Sequence, residues 1–184
     1  MRPSPSVRRK IGFLVEGETD RLIVETIARK ILPDSDWVRV IRSGGGATLP
    51  WARDLVSLLL EEKDYLHVVV LVDADSINDR DIKSRRERVE SMIDLDSFKG
   101  HASVCFAVPE IEAWLLAKYE PKPESYQHPK EYLTRLLREQ KNLSLRDRLQ
   151  EEIETLDLRL ARRRSPSLND FLQVIERVIE IKKD

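Results

Sequence analysis

The sequence is poor in cysteine, methionine and aromatic residues and has no long apolar run, and each shortage excludes something. A single cysteine, Cys105, cannot close an internal disulfide, which suits a reducing compartment; set in an apolar run, its expected role is packing. No apolar stretch approaches the roughly 20 residues of a membrane span, so no membrane partner is expected. The opening M-R-P-S-P-S lacks an apolar h-region, so no signal peptide is expected either and a cytoplasmic location is. An excess of one charge is also missing. With 32 Lys and Arg against 33 Asp and Glu, the net charge is -1, and a basic footprint can only be local, at Arg8–Lys10 or Arg159–Arg164. Three histidines, His67, His101 and His128, are scattered without metal-ligand spacing.

What is present suits a folded domain. A chain of 184 residues, 41% hydrophobic and 35% charged, is long enough to bury a core and too apolar to stay disordered. Its organising stretch is His67–Asp75, H-V-V-V-L-V-D-A-D. Five consecutive apolar residues, four of them Val, predict a strand buried on both faces, as in a parallel sheet. Asp73 and Asp75 stand at its carboxyl end, where open α/β sheets bind ligands, and alternation along an extended segment points both the same way.

The remaining elements follow in order. Residues 1–9 read as a flexible leader. Ile11–Val15 predicts a first strand ending in E-G-E-T-D, and a helix with Thr19 or Asp20 as N-cap runs to Pro33. Trp37–Ile41 predicts a more exposed strand, Gly44–Gly46 a turn, and Trp51–Leu59 a helix. A solvated helix over 78–93, a strand over 102–108 and a helix opened by Pro109 complete a β-α repeat. The pattern spells an α/β, Rossmann-like fold: a mostly parallel four-stranded sheet flanked by helices, over residues 10–118. Helices over 129–140, 144–162 and 167–182 form a C-terminal extension, residues 119–184, packed on that core. Ser167 and Asp170 suggest the cap of the last helix.

With the first and third strands side by side, Glu16, Asp73 and Asp75 would share one crevice. Two carboxylates about 4 Å apart at an effective dielectric near 20 repel by roughly 4 kcal/mol, so the group calls for protons or a cation. Oxygen ligands suit Mg²⁺ or Mn²⁺, and such an ion can serve phosphodiester chemistry.

The V-E-G-E-T-D and D-A-D motifs resemble the Toprim domain, and E-G-x-T-D resembles its OLD-type nuclease branch most. A-V-P-E-I-E-A-W-L-L-A at 107–117 and S-P-S-L-N-D-F-L at 165–172 further resemble small stand-alone Toprim-like prokaryotic proteins. The resemblance runs from Lys10 to the last helix. It implies the Toprim form of the fold and a divalent-metal-dependent nuclease acting on DNA or RNA, in prokaryotic defence or a mobile element. Glu16 would be the general acid/base or a metal ligand, Asp73 and Asp75 would be catalytic and hold Mg²⁺ or Mn²⁺, and Asp20 with Glu110 or Glu112 would serve a second ion. Two apart on a helix, Glu110 and Glu112 would not both face it. The chain departs from the family in showing no ATPase segment of the kind full-length OLD proteins carry; a protein partner such as an ATPase subunit and a homo-oligomer are both left open. No lysine matches the basic residue of OLD nucleases, and no topoisomerase tyrosine domain is present.

Plainer readings stand beside these. Asp75 could cap the following helix, Asp20 the first one, and Glu110 and Glu112 could answer a helix dipole. Gly44–Gly46 lacks the Gly-Lys-Ser/Thr of a P-loop. Arg162, Arg163 and Arg164 could bind nucleic acid or simply be solvated. A partner-binding subunit without catalysis and a nucleotide-binding phosphotransferase are the alternatives to the nuclease.

Overall fold

The computed structural model describes residues 10–32, 38–42, 48–62, 65–138 and 144–181. The expected leader, the Gly44–Gly46 turn, Trp37 and the basic pair Arg8–Arg9 lie outside them. The fold is α/β and Rossmann-like, an all-parallel four-stranded sheet flanked by helices. Its strands are β1 (Lys10–Val15), β2 (Val38–Arg42), β3 (Tyr65–Asp73) and β4 (Ala102–Ala107), in the order β2-β1-β3-β4. Parallel strands need crossovers, and helices α1 (Glu18–Ile31), α2 (Thr48–Ser57) and α3 (Asp79–Ile93) supply them. The helices α4 (Glu112–Leu116), α5 (Pro129–Arg138), α6 (Leu145–Glu154), α7 (Leu158–Arg164) and α8 (Pro166–Ile181) follow.

The chain divides into two compact units, one made of the chain up to Leu71 with Arg88–Val104, the other of Val72–Glu87 with Cys105–Asp184. In the first, β1 pairs with β2 from Ile11↔Val38 to Val15↔Arg42 and with β3 through Leu14↔Val70. Val68–Val70 are fully buried, as the Val run predicts, whereas in β2 only Val38 is buried and the other residues are part-exposed or exposed. Gly12 lies where β1 is crowded: a Cβ there would meet Tyr65 at 3.2 Å and Leu59 at 3.3 Å. His67 is buried and bonded to Ser103 Oγ (2.9 Å), a strand-pairing role.

The core of the second unit is built on α4. Every residue of this short helix is buried, and Trp114 meets Phe171 of α8 with ring centroids 5.0 Å apart. α4 packs on α5, α5 on α6, and α7 on α8. Three boundaries differ from the sequence expectations. Pro109 does not open α4, which begins at Glu112, because residues 107–111 are bonded instead to the end of β3. The expected 144–162 helix is broken between α6 and α7, where Asp157 accepts from the amides of Arg159 (2.8 Å) and Leu160 (3.1 Å) and starts a new helix. The cap of α8 is Ser165, whose Oγ accepts from Leu168 N (3.3 Å), rather than Ser167.

Cys105 in β4 is buried, and that burial pushes its thiol up to about 12 from 9.0. The folded chain therefore holds the neutral thiol while the unfolded chain can ionise. Stability linked to Cys105 is complete below pH about 9 and is lost as pH rises towards about 12. Unfolding free energy measured across that window should fall less steeply in Cys105→Ala than in wild type, the difference approaching ~1.4 kcal/mol per pH unit. Parallel pH dependences in the two proteins would contradict this.

Candidate functional site

The acids singled out in the sequence fall in both units: Glu16 and Asp20 in the first, Asp73, Asp75, Glu110 and Glu112 in the second. In the first unit, Glu16 directly follows β1 and is half-buried. The N-cap of α1 is Gly17 rather than Thr19 or Asp20. Asp20, at the third helical position, reaches back to accept from Gly17 N at 2.7 Å, one half of a capping box. Gly17 has an ordinary extended φ of -114°, so its value here is room: a Cβ would meet Asp20 Oδ2 at 3.2 Å. Asp20→Ala should therefore cost about 1 kcal/mol in thermal or urea unfolding, the usual worth of a cap, with Asp20→Asn recovering part of it. An unchanged midpoint in Asp20→Ala would remove the capping role.

In the second unit the end of β3 is held by the segment after β4. Ala74 N donates to Ala107 O (2.8 Å), Asp75 N donates to Pro109 O (2.9 Å), and Ile111 N donates to Asp73 Oδ1 (3.0 Å). That last bond fixes the orientation of the Asp73 carboxylate, which is half-buried. Asp75 lies beyond the strand and takes a left-handed conformation, φ +55°. Alternation therefore stops at Asp73, and the expected common direction of the two side chains does not carry across. Asp75 Oδ2 instead pairs with Arg85 Nη2 of α3 at 2.7 Å. Asp75 is also not the cap of α3: Asn78 Oδ1 accepts from Arg80 N (2.9 Å) and does that work.

Arg85 is the residue that the sequence reading missed, since a charged, sparsely apolar helix gives no sign of which arginine turns inward. Its guanidinium holds Asp75 through one nitrogen, while Nε, among the described residues, is a buried side-chain atom without a hydrogen-bond partner. Arg86 is turned onto the Phe106 ring, 4.8 Å from its centroid.

The two glutamates separate. Glu110 precedes α4, is half-buried and accepts from Lys130 N at the start of α5 (3.3 Å); Glu112 is in the helix and only 5% exposed. The helical-wheel argument for choosing between them does not apply, because Glu110 is not helical. Glu110 adjoins Ile111, whose amide holds Asp73, whereas Glu112 is turned into the buried face of α4.

The basic joint at the end of α7 is largely committed internally. Arg162 pairs with Glu176 (2.8 Å) and Asn169 (3.0 Å), and Arg164 donates to Ala117 O at the end of α4 (2.9 Å), while Arg163 is exposed. Ser167 and Glu124 are used structurally too: Ser167 Oγ takes the Trp114 indole N–H (2.8 Å), and Glu124 Oε1 accepts from Ser167 Oγ (2.7 Å) and Ser167 N (2.8 Å).

Among the described residues, no three His, Cys, Asp or Glu side chains form a group that could hold a metal ion, and no helix is long and apolar enough to cross a membrane. The molecule is thus of the Rossmann-like α/β class, with an acidic, arginine-braced end to a central parallel strand. Comparison with protein-family models, curated proteins and solved structures finds no match to this chain.

Proposed function

We propose that this chain is a Toprim-like, divalent-metal-dependent phosphodiesterase acting on DNA or RNA, in the defence or mobile-element setting that the sequence resemblance implies. The observation that carries the reading is the pair of acids at the carboxyl end of β3, one oriented by the Ile111 amide and the other tied to an arginine. In α/β sheets this end of a strand is where ligands sit. The donor set fits Mg²⁺ or Mn²⁺, because such ions are commonly held by one or two carboxylates with water and substrate phosphate making up the rest. When bound, the ion would stabilise phosphodiester charge and acidify its water.

The side chains have distinct tasks in this reading. Asp73, its direction set by Ile111, is the principal ligand, with Asp75 beside it in sequence. Arg85 restrains Asp75 through its Nη2. Glu110 is favoured over Glu112 as an additional acid because it lies outside the buried helix face. Glu16 keeps the proton-handling role given by the resemblance, read out through Glu16→Gln. Exposed Arg163 is the member of the basic joint open to a nucleic-acid backbone.

Calorimetric titration of Mn²⁺ and Mg²⁺, followed by DNA and RNA cleavage assays on the same samples, tests the proposal. Ion binding and cleavage in wild type support it, and a wild type that binds neither ion sinks it. A second reading, a subunit that binds nucleic acid or a partner such as an ATPase without turnover, is favoured by the sequence having no lysine matched to the basic residue of OLD nucleases. It requires nucleic-acid binding without cleavage, insensitive to Asp73→Asn.

A further inference from the structure

The second unit carries an aromatic cluster that its core does not use. A cavity of about 510 Å³ is lined by Tyr126, Gln127, His128, Glu131, Tyr132 and Arg135. Tyr126 and Tyr132 stack with ring centroids 4.9 Å apart and planes 29° from parallel, and the Arg135 guanidinium lies 5.1 Å from the Tyr132 centroid. Both tyrosines are half-buried, while Gln127, His128, Glu131 and Arg135 are exposed. The rings are braced from behind: Tyr132 donates its hydroxyl proton to Glu120 Oε1 at 3.0 Å. Hydrogen bonding to Glu120 raises both phenols above their ordinary range, so the rings stay neutral. A pre-stacked pair of rings with a guanidinium alongside, bordering an open cavity, is a surface on which another flat group can dock at little ordering cost.

The chemistry of the lining narrows the ligand. The cavity lies in the size range of small-ligand sites, large enough for a nucleoside. One arginine gives a contact for phosphate, and the Gln127 amide and Glu131 carboxylate can meet the hydrogen-bonding edge of a base. The cluster is also connected to the acidic end of β3. Lys130, in the first turn of α5, donates its amide to Glu110, and the next residue, Ile111, donates to Asp73.

We propose that this cavity binds single-stranded nucleic acid, taking an unpaired base against the Tyr126–Tyr132–Arg135 cluster and a neighbouring phosphate at Arg135. The inference deepens the nuclease reading, on which it rests, by naming the strand state of the substrate. A duplex keeps its bases stacked on one another and cannot offer a face to the tyrosines; a single strand can.

The test is fluorescence anisotropy of the full chain in EDTA, so that binding is read without turnover, using labelled oligothymidylate and oligouridylate and a matched duplex. Single strands should bind at least about 10-fold more tightly than the duplex, and Tyr132→Ala should weaken that binding about 5-fold or more. Tyr132→Phe should retain it, since the ring remains, and Arg135→Gln should lower the salt slope of log affinity by about 0.7. Thermal unfolding of each variant verifies its fold. Equal affinity for the duplex, no binding, or full binding by a folded Tyr132→Ala overturns the proposal. Hydrolysis of a small chromogenic phosphodiester by wild type with Mn²⁺, which needs no stacking surface, separately reads the nuclease proposal. Activity there without single-strand binding defeats the docking inference alone, and binding without activity defeats the nuclease reading alone.

Discussion

The Asp73→Asn/Asp75→Asn double variant is expected to lose Mn²⁺ binding and phosphodiester cleavage together, with cleavage falling by about 100-fold or more. That is the scale on which removal of one preorganised electrostatic group acts on a transition state. The substitution removes two negative charges while changing the backbone environment little. Asparagine keeps an Oδ1 that can still accept from Ile111 N, so the segment that holds the end of β3 retains its anchor. Asp73→Ala lacks that acceptor and should in addition cost about 1–3 kcal/mol by stranding the amide. At Asp75 the lost ion pair is a partly exposed one, 58% on the aspartate side and 23% on the arginine side, and its contribution to stability should stay below ~1 kcal/mol. The double variant should therefore unfold near the wild-type midpoint while being inert. Calorimetry, cleavage assays and thermal unfolding on the same preparations separate the two effects. A variant that cuts as well as wild type would remove both aspartates from the chemistry.

The largest stability effect is expected at Trp114. This side chain is fully buried, contacts Phe171 and donates its indole N–H to Ser167 Oγ at 2.8 Å. Ser167 Oγ in turn donates to Glu124 Oε1 at 2.7 Å, and Val108 N donates to Ser167 Oγ at 3.3 Å, so one hydroxyl links α4, α8 and the segment after β4. Trp114→Ala opens a cavity and breaks this chain, and should cost about 3–5 kcal/mol in urea unfolding followed by far-UV circular dichroism. For a chain of this length that corresponds to a fall of roughly 10 °C in midpoint. Trp114→Phe keeps most of the packing and loses the indole donor, so its cost should be smaller, near 1–3 kcal/mol. A loss under ~1 kcal/mol in Trp114→Ala would mean that the α4–α8 contact does not hold the second unit together.

The same residues show what was legible beforehand. The Val68–Val72 run named a strand buried on both faces, and strands alternating with helical patterns named a parallel α/β sheet, because patterns of period two and 3.6 are local and survive without tertiary information. Asp20 was readable both as ligand and as cap; its bond to Gly17 N depends only on residues three apart in sequence. Other features could not be read in this way. The direction of Asp75 follows from a left-handed backbone after the strand and from Arg85, ten residues away; that Pro109 would give its carbonyl to Asp75 rather than open a helix follows from the pairing of β3 with β4. Ser167 looked like a cap because its local spacing allowed one, yet its hydroxyl is taken by Trp114 and Glu124, 53 and 43 residues away in sequence.

The sequence by itself determined the order of strands and helices, the buried run at the centre of the sheet, and the presence of two acids at its carboxyl end, all of which depend on short-range periodicity and strand length. Only the tertiary structure decided which oxygen of Asp73 is bound, which arginine faces Asp75, which of Glu110 and Glu112 is buried, and that Tyr126, Tyr132 and Arg135 gather at one cavity. These are properties of hydrogen bonds and packing between segments brought together by the fold, and residue spacing carries no record of them.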